Sequence, residues 1–248
     1  MSVVIVVTGA GRGIGAAVAR RVAAAGMAVC VNYRASKDSA EALVREISEA
    51  GGTALAVRAD VSAEEDVHEL FETATATLGP VTALVNNAGT TGGLTGLLDL
   101  DLRQADEAYR TVVRSTLLCT REAARRMARG RGGSGGAVVN VSSTGARTGG
   151  GGEWVHYAAM KAAVNTFTWG AAQELAAEGI RVNAVAPGLV QTDLHEDNGV
   201  PDRPARLRAS VPLGRIGTPD EVAEAVWFLL SPASSYTTGA VLEVGGGR

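Results

Sequence analysis

Apolar residues in this chain fall into two rhythms. Short continuous runs, rich in β-branched residues, occupy positions 3–7, 28–32, 54–57, 82–85, 137–141, 180–186 and 240–244. Runs of this kind fit strands buried on both faces of a parallel sheet. Between them lie longer windows in which apolar residues recur every three or four positions, the spacing of one helix face. These windows predict helices over 16–25, 36–50, 63–78, 99–129, 153–178 and 223–230. Gly51-Gly52 ends the second of them, and residues 129–136 form a Gly/Arg-rich stretch that reads as solvated loop. Strand and helix alternating in this way imply a doubly wound parallel sheet with right-handed crossovers and helices on both faces. No break in composition divides residues 1–248, so the pattern predicts a single α/β domain. One long non-strand insertion, residues 188–217, carries Pro201, Pro204 and Pro212 with several charges. A long loop inside a compact domain is often a lid over a site.

Composition narrows the picture. Of 248 residues, 46% are hydrophobic, enough for a large core, and the formal net charge is −3. That charge argues against nucleic acid or an anionic membrane as the main partner. The apolar start lacks a basic region and is too short for a signal peptide, and no apolar run approaches the roughly 20 residues that cross a bilayer. Cys30 and Cys119 sit in apolar segments and read as reduced core thiols, with a cytoplasmic location as the default. His156 and His195 are not at metal-ligand spacing with each other or with the cysteines, so no metal is expected. His195, in the insertion, is a candidate substrate contact.

The first strand runs straight into Thr8-Gly9-Ala10-Gly11-Arg12-Gly13-Ile14-Gly15, and a helix follows. Glycines let the backbone turn sharply and approach a pyrophosphate. The helix N-terminus then offers free N–H groups and a partial positive charge. Gly9, Arg12, Gly13, Ile14 and Gly15 are therefore candidate dinucleotide contacts. The second strand ends in Asn32-Tyr33-Arg34, with no acid to bond a ribose 2′-hydroxyl. Arg34, with Tyr33 beside it and Arg12 in the glycine turn, points to a 2′-phosphate and hence to NADP(H) over NAD(H).

Tyr157 and Lys161, four residues apart on a predicted helix, share one face. A phenol has an ordinary pKa near 10. A nearby ammonium favours the phenolate, so the expectation is a lowered Tyr157 pKa and a pair able to carry proton chemistry.

Together these pieces resemble the short-chain dehydrogenase/reductase family, and the resemblance spans nearly the whole chain. It rests on the glycine turn, Asp60-Val61, Asn86-Asn87-Ala88-Gly89, Ser142-Ser143, Tyr157 to Lys161, Pro187-Gly188 with Thr192, and the tail from Tyr236 to Gly247. It implies a Rossmann-type fold and a hydride-transfer oxidoreductase acting on a carbonyl/alcohol pair. Tyr157 would be the acid or base, Lys161 its pKa-lowering partner and ribose contact, and Ser143, fourteen residues before Tyr157, a donor to the substrate oxygen. Asp60 and Val61 would hold the adenine, Asn87, Ala88 and Gly89 would border its ribose, and Pro187, Gly188, Val190 and Thr192 would shape the nicotinamide side. A homotetramer packed through the helices at 99–129 and 153–178 is also implied.

Two positions depart from the family pattern. Where the family carries an asparagine that anchors a relay water beside the lysine, this chain has Val112, with Ser115 and Thr116 one turn on as partial substitutes. Where an Asp often precedes the final glycines, it has Val244. The loss at 112 leaves open an alternative of another class, a dinucleotide-binding sensor or scaffold with little turnover.

Overall fold

The computed structural model describes residues 3–248. Seven strands, β1 (Val4–Val7), β2 (Ala28–Tyr33), β3 (Thr53–Arg58), β4 (Val81–Asn86), β5 (Gly136–Val141), β6 (Ile180–Pro187) and β7 (Val241–Val244), form one sheet in the order β3-β2-β1-β4-β5-β6-β7. Every pairing is parallel. All of β1 and β2 and nearly all of β4, β5 and β6 are buried, as their continuous apolar runs require, while the edge strands β3 and β7 are partly exposed.

Ten α-helices among the described residues complete the fold: α1 (Gly13–Ala24), α2 (Lys37–Glu49), α3 (Glu64–Leu78), α4 (Leu102–Tyr109), α5 (Ser115–Met127), α6 (Gly145–Thr148), α7 (Val155–Leu175), α8 (Leu194–Asp197), α9 (Arg203–Leu207) and α10 (Pro219–Leu230). Side chains alternate across a strand, so β1 feeds two cores. Ile5 and Val7 pack with Val18 and Val22 of α1, Leu43 and Ile47 of α2, and Val222 and Val226 of α10. Val4 and Val6 pack on the other face with Leu70 and Phe71 of α3, Cys119 and Met127 of α5, and Ala171 of α7. Both cysteines are free and fully buried, and burial pushes the thiol of Cys30 up to about 12.

Two expectations change in detail. The helix expected over 99–129 is broken. A π-helical turn at Arg110–Arg114, containing Val112, separates α4 from α5. Hydroxyls crowd its carbonyls: Thr111 bonds back to Glu107, Ser115 to Thr111 and Thr116 to Val112. Such back-bonding competes with a regular ladder, and single π-turns are frequent at functional sites. The helix expected from 223 starts at Pro219, because Thr218 and Glu221 form a capping box with Pro219 at the first helical position. Ser62 does not cap α3. Its hydroxyl and amide both bond Asp60 Oδ1, at 2.7 and 2.9 Å, while Asp66 accepts from the Asp60 amide.

The strand order reverses between β1 and β4, which opens a crevice at their C-terminal ends, the place where open α/β sheets bind ligands. The 188–217 excursion crosses that crevice. It is ordered by α8, α9 and a parallel bridge between Val190 and Gly217 that closes its base.

Candidate active site

Every residue nominated from the sequence as catalytic or cofactor-binding, except Gly15, lines a single cleft of about 590 Å³ at this crevice. Gly15 lies beneath it. A β-carbon there would come within 2.5 Å of Asn87 Nδ2 and 2.7 Å of Gly9 O, so only glycine fits. Gly9 needs its positive φ of 59° and abuts Ala88, to which a β-carbon would approach to 2.9 Å. Hydrogen bonds lock this turn to β4. Thr8 Oγ1 accepts from the amides of Asn87 and Ala88, both at 3.0 Å, and Asn87 Nδ2 donates to Thr8 O and Gly9 O at the same distance. Asn32, buried, accepts from the Gly9 amide at 3.1 Å and donates to Ala59 O. Arg12 caps α1 in extended backbone with no side-chain cap, and the first turn carries no acid. The amides of α1 thus face the cleft with nothing negative nearby on their own helix. The glycine cradle and the open helix terminus fit a dinucleotide pyrophosphate.

On the adenine side, Asp60 is partly buried. Burial raises its pKa, yet the Ser62 hydroxyl and amide and the charges of Arg34 and Arg110 win, and its carboxyl sits below the usual range. Arg34 is exposed at the cleft rim with Glu107 3.9 Å away. Arg12 donates to both oxygens of Asp197 in α8, at 3.1 Å to Oδ1, and lies 3.8 Å from Asp193. The two guanidiniums nominated for a phosphate therefore both have carboxylate neighbours here.

At the other end, α7 presents Tyr157 and Lys161 on one face. Lys161 is 5% exposed, and its Nζ donates to Val141 O at 2.6 Å while standing 5.6 Å from the Tyr157 ring centre. Burial lowers its pKa to about 8 and raises that of Tyr157 above its ordinary value. The expected depression of the phenol pKa is not found; it shifts the other way. The ammonium is directed at a backbone carbonyl, so desolvation outweighs its field. Ser143 projects from the end of β5, its Oγ accepting from the Gly145 amide at 3.0 Å, while the adjacent Ser142 bonds Lys161 O at 3.2 Å. Ser142 is thus a strut of α7, and Ser143 is the one of the pair turned to the turn beyond the strand.

Val112 is buried, and its Cγ2 and Lys161 Nζ both lie against Gly89. A valine methyl thus stands beside Gly89 and the Lys161 ammonium, where the family pattern has an amide. The Ser115 and Thr116 hydroxyls, considered as substitutes for an asparagine, donate to their own helix. The side chain of His195, in α8, lies outside the described residues. Of the arginines near the end of α5, Arg126 is held by Glu72 and Glu122, both at 2.8 Å.

Sequence reasoning did not find Arg203 as part of this site. Arg203 of α9 is 4% exposed, donates to Glu153 Oε2 at 2.6 and 3.0 Å, and stacks over Trp154 at 4.0 Å from the ring centre. Trp154 in turn leans on Tyr157, ring centres 5.7 Å apart. His156 contacts Thr91 O at 2.7 Å, and Thr91 bonds Asn198 of the excursion. No local pattern foretells contacts across about fifty and a hundred residues.

A family model described as Enoyl-(Acyl carrier protein) reductase matches residues 9–248. The chain is 43% identical over 242 residues to the uncharacterized oxidoreductase YgfF of Escherichia coli, covering 98% of each. It is 39% identical over 246 residues to a 3-oxoacyl-acyl-carrier-protein reductase of Synechocystis, covering 98% of this chain and 96% of the relative. Among solved structures, a 7α-hydroxysteroid dehydrogenase complexed with NADH and a 7-oxo bile acid superposes with a TM-score of 0.91 at 34% identity, over 99% of this chain and 93% of that one. A blue fluorescent protein from a metagenomic library in complex with NADPH gives 0.89 at 36% identity, over 99% and 97%.

Proposed function

The chain belongs to the short-chain dehydrogenase/reductase family and is an oxidoreductase of the CH–OH/carbonyl class, and from that premise we propose that it reduces a small carbonyl substrate with NADPH, using Tyr157 as proton donor. One observation carries the reading: Tyr157, Lys161 and Ser143 share a cleft with the glycine turn and the free N-terminus of α1.

Held in this cleft, a nicotinamide dinucleotide would supply the hydride that a carbonyl reduction needs. As negative charge grows on the substrate oxygen, Ser143 Oγ hydrogen-bonds it and the Tyr157 phenol delivers its proton there, leaving the alcohol and a phenolate. Burial keeps Tyr157 protonated, the form that reduction needs. Lys161, charged below about pH 8, stabilises the phenolate that remains. The amides of α1 hold the pyrophosphate, and Asp60, Val61 and the 87–89 stretch flank the adenosine. Arg34 and Arg12 receive the 2′-phosphate. Trp154 and the 188–217 lid wall the substrate side. Relatives act on an acyl-carrier thioester and a steroid by their names; the class proposed here is the shared one, a ketone or its alcohol.

A homotetramer in the cytoplasm completes the proposal. Exposed Trp169 on α7 and Leu117 on α5 support copy-to-copy contact through these helices. No helix among the described residues is long and apolar enough to cross a membrane.

The test is consumption of NADPH and NADH against ketones, aldehydes, sugars and 3-oxoacyl thioesters. Turnover of at least one carbonyl, faster with NADPH, is the expected outcome; tight cofactor binding with no turnover would leave a sensor. Arg34→Asp is expected to weaken NADPH by about tenfold or more, the scale of a lost charge-assisted contact replaced by repulsion, with little change for NADH. Unchanged NADPH kinetics in that variant rule out the assignment.

Val112→Asn puts a water-holding amide where a valine methyl now stands beside Gly89, next to the lysine ammonium. Hydrating Lys161 raises its pKa above about 8. The pH–rate profile for reduction is therefore expected to extend to higher pH. An identical profile would mean that proton resupply runs elsewhere or does not limit turnover.

A further inference from the structure

The glycine turn and the start of the 188–217 excursion touch. A β-carbon on Gly13 would sit 3.6 Å from Thr192 Cγ2. Arg12, next to Gly13, turns its guanidinium onto this excursion, donating to both carboxylate oxygens of Asp197, with Asp193 at 3.8 Å. Asp197 is 185 residues away in sequence, so this contact is built by the fold. The same excursion is tied at two further points, Asn198 to Thr91 and Arg203 to Glu153 and Trp154. Its first tether lies beside the cofactor turn. Its last rests on the tryptophan that packs against Tyr157.

A guanidinium offers a limited fork of N–H donors, and a carboxylate and a phosphate compete for the same geometry. Resting on the reading that Arg12 receives the 2′-phosphate, we propose that Asp197, supported by Asp193, is a cofactor-discriminating element: it occupies Arg12 in the cofactor-free chain and yields it only to a 2′-phosphorylated dinucleotide. NADPH binding then unties α8 from the glycine turn. It also places a dianionic phosphate near two carboxylates, which repels them from the adenosine end. NADH makes no such demand and leaves the Arg12–Asp197 tether in place. Asp197 therefore works against NADPH affinity, and the first tether of the lid senses which cofactor is present.

The experiment compares dissociation constants of NADPH and NADH, by titrating their fluorescence with the whole chain, for the wild type, Asp197→Asn, the Asp193→Asn/Asp197→Asn pair and Asp202→Asn. Asp202 is the control, an acid of the same excursion that pairs with Arg206 and not with Arg12. Asp197→Asn is expected to tighten NADPH about three- to fivefold, the upper scale of an exposed charge pair, and to leave NADH within about twofold. The double variant is expected to tighten NADPH further, and Asp202→Asn to change neither cofactor selectively. Equal shifts for both cofactors, no shift, or the same selective gain in Asp202→Asn would overturn the inference. Arg12→Gln separates it from its premise. If Arg12→Gln leaves the NADPH/NADH ratio unchanged, the 2′-phosphate reading of Arg12 fails and the inference with it. If Arg12→Gln lowers the ratio while Asp197→Asn does not raise it, the inference alone fails.

Discussion

Tyr157→Phe is expected to lower kcat for carbonyl reduction by about 10²- to 10⁴-fold, the usual contribution of a positioned general acid, while cofactor affinity stays nearly unchanged. The substitution removes only the phenol oxygen. The ring keeps its packing against Trp154 and its place one helical turn from Lys161, so the thermal midpoint should hold. Steady-state kinetics together with dinucleotide titration check both halves. Unaltered kcat would sink the assignment of Tyr157, and with it the reduction mechanism. A loss confined to KM would make Tyr157 a binding group.

Lys161→Met is expected to abolish most turnover and yet to stabilise the cofactor-free protein. The ammonium is 5% exposed and has Val141 O as its recorded acceptor. Its pKa falls from 10.5 to about 8 through burial. Between about pH 8 and 10.5 the folded chain thus binds fewer protons than the unfolded one, and wild-type stability rises with pH across that window. Below about pH 8 the native state carries the full cost of a buried charge, on the order of 1–3 kcal/mol once the lost hydrogen bond is discounted. Methionine fills a similar volume without that charge. The variant should therefore melt several degrees higher at pH 7, by roughly 2–4 °C per kcal/mol for a chain of this size. The gap should close as pH approaches 10.5. Calorimetry of both proteins at pH 7 and near pH 10 checks the sign. A destabilised variant at pH 7 would mean that the lysine's packing and hydrogen bond outweigh its desolvation.

Local patterns account for most of the fold. Continuous apolar runs placed β1, β2, β4, β5 and β6 within a residue or two, because strands buried on both faces carry few polar positions to confuse the reading. Glycine turn and helix together were legible at 9–24, since a strand, a run of glycines and a helix start have few other uses in that order. The structure begins α1 at Gly13, three residues before the expected start, because the last glycines of the turn are already its first helical residues. The break at Arg110–Arg114 was not legible. Nothing in the 3.6-residue rhythm distinguishes an α-turn from a π-turn, and it is the hydroxyls of Thr111, Ser115 and Thr116, bonding back to their own carbonyls, that accompany it. The start of α10 was legible in principle, in Thr218-Pro219-Asp220-Glu221, though the apolar rhythm begins only later.

For the site, spacing alone sufficed to put Tyr157 and Lys161 on one face, because a helix carries residues four apart to the same side whatever surrounds them. Parallel strands likewise carry Ser143 and the 86–89 stretch to one edge of the sheet. Spacing did not settle how the two groups titrate. From the chain alone an ammonium near a phenol lowers its pKa; in the folded cleft Lys161 is buried and Tyr157 half-buried, and desolvation moves each toward its neutral form. Partners from distant stretches were likewise decided only in three dimensions. Arg12 with Asp197, Asn198 with Thr91 and Arg203 with Trp154 are brought together by the excursion folding back over the crevice. Helix period and strand alternation are local and written in the order of residues. Burial and long-range charge pairing depend on which surfaces the finished fold presses together, and the proton chemistry and the tethering of the lid rest on those.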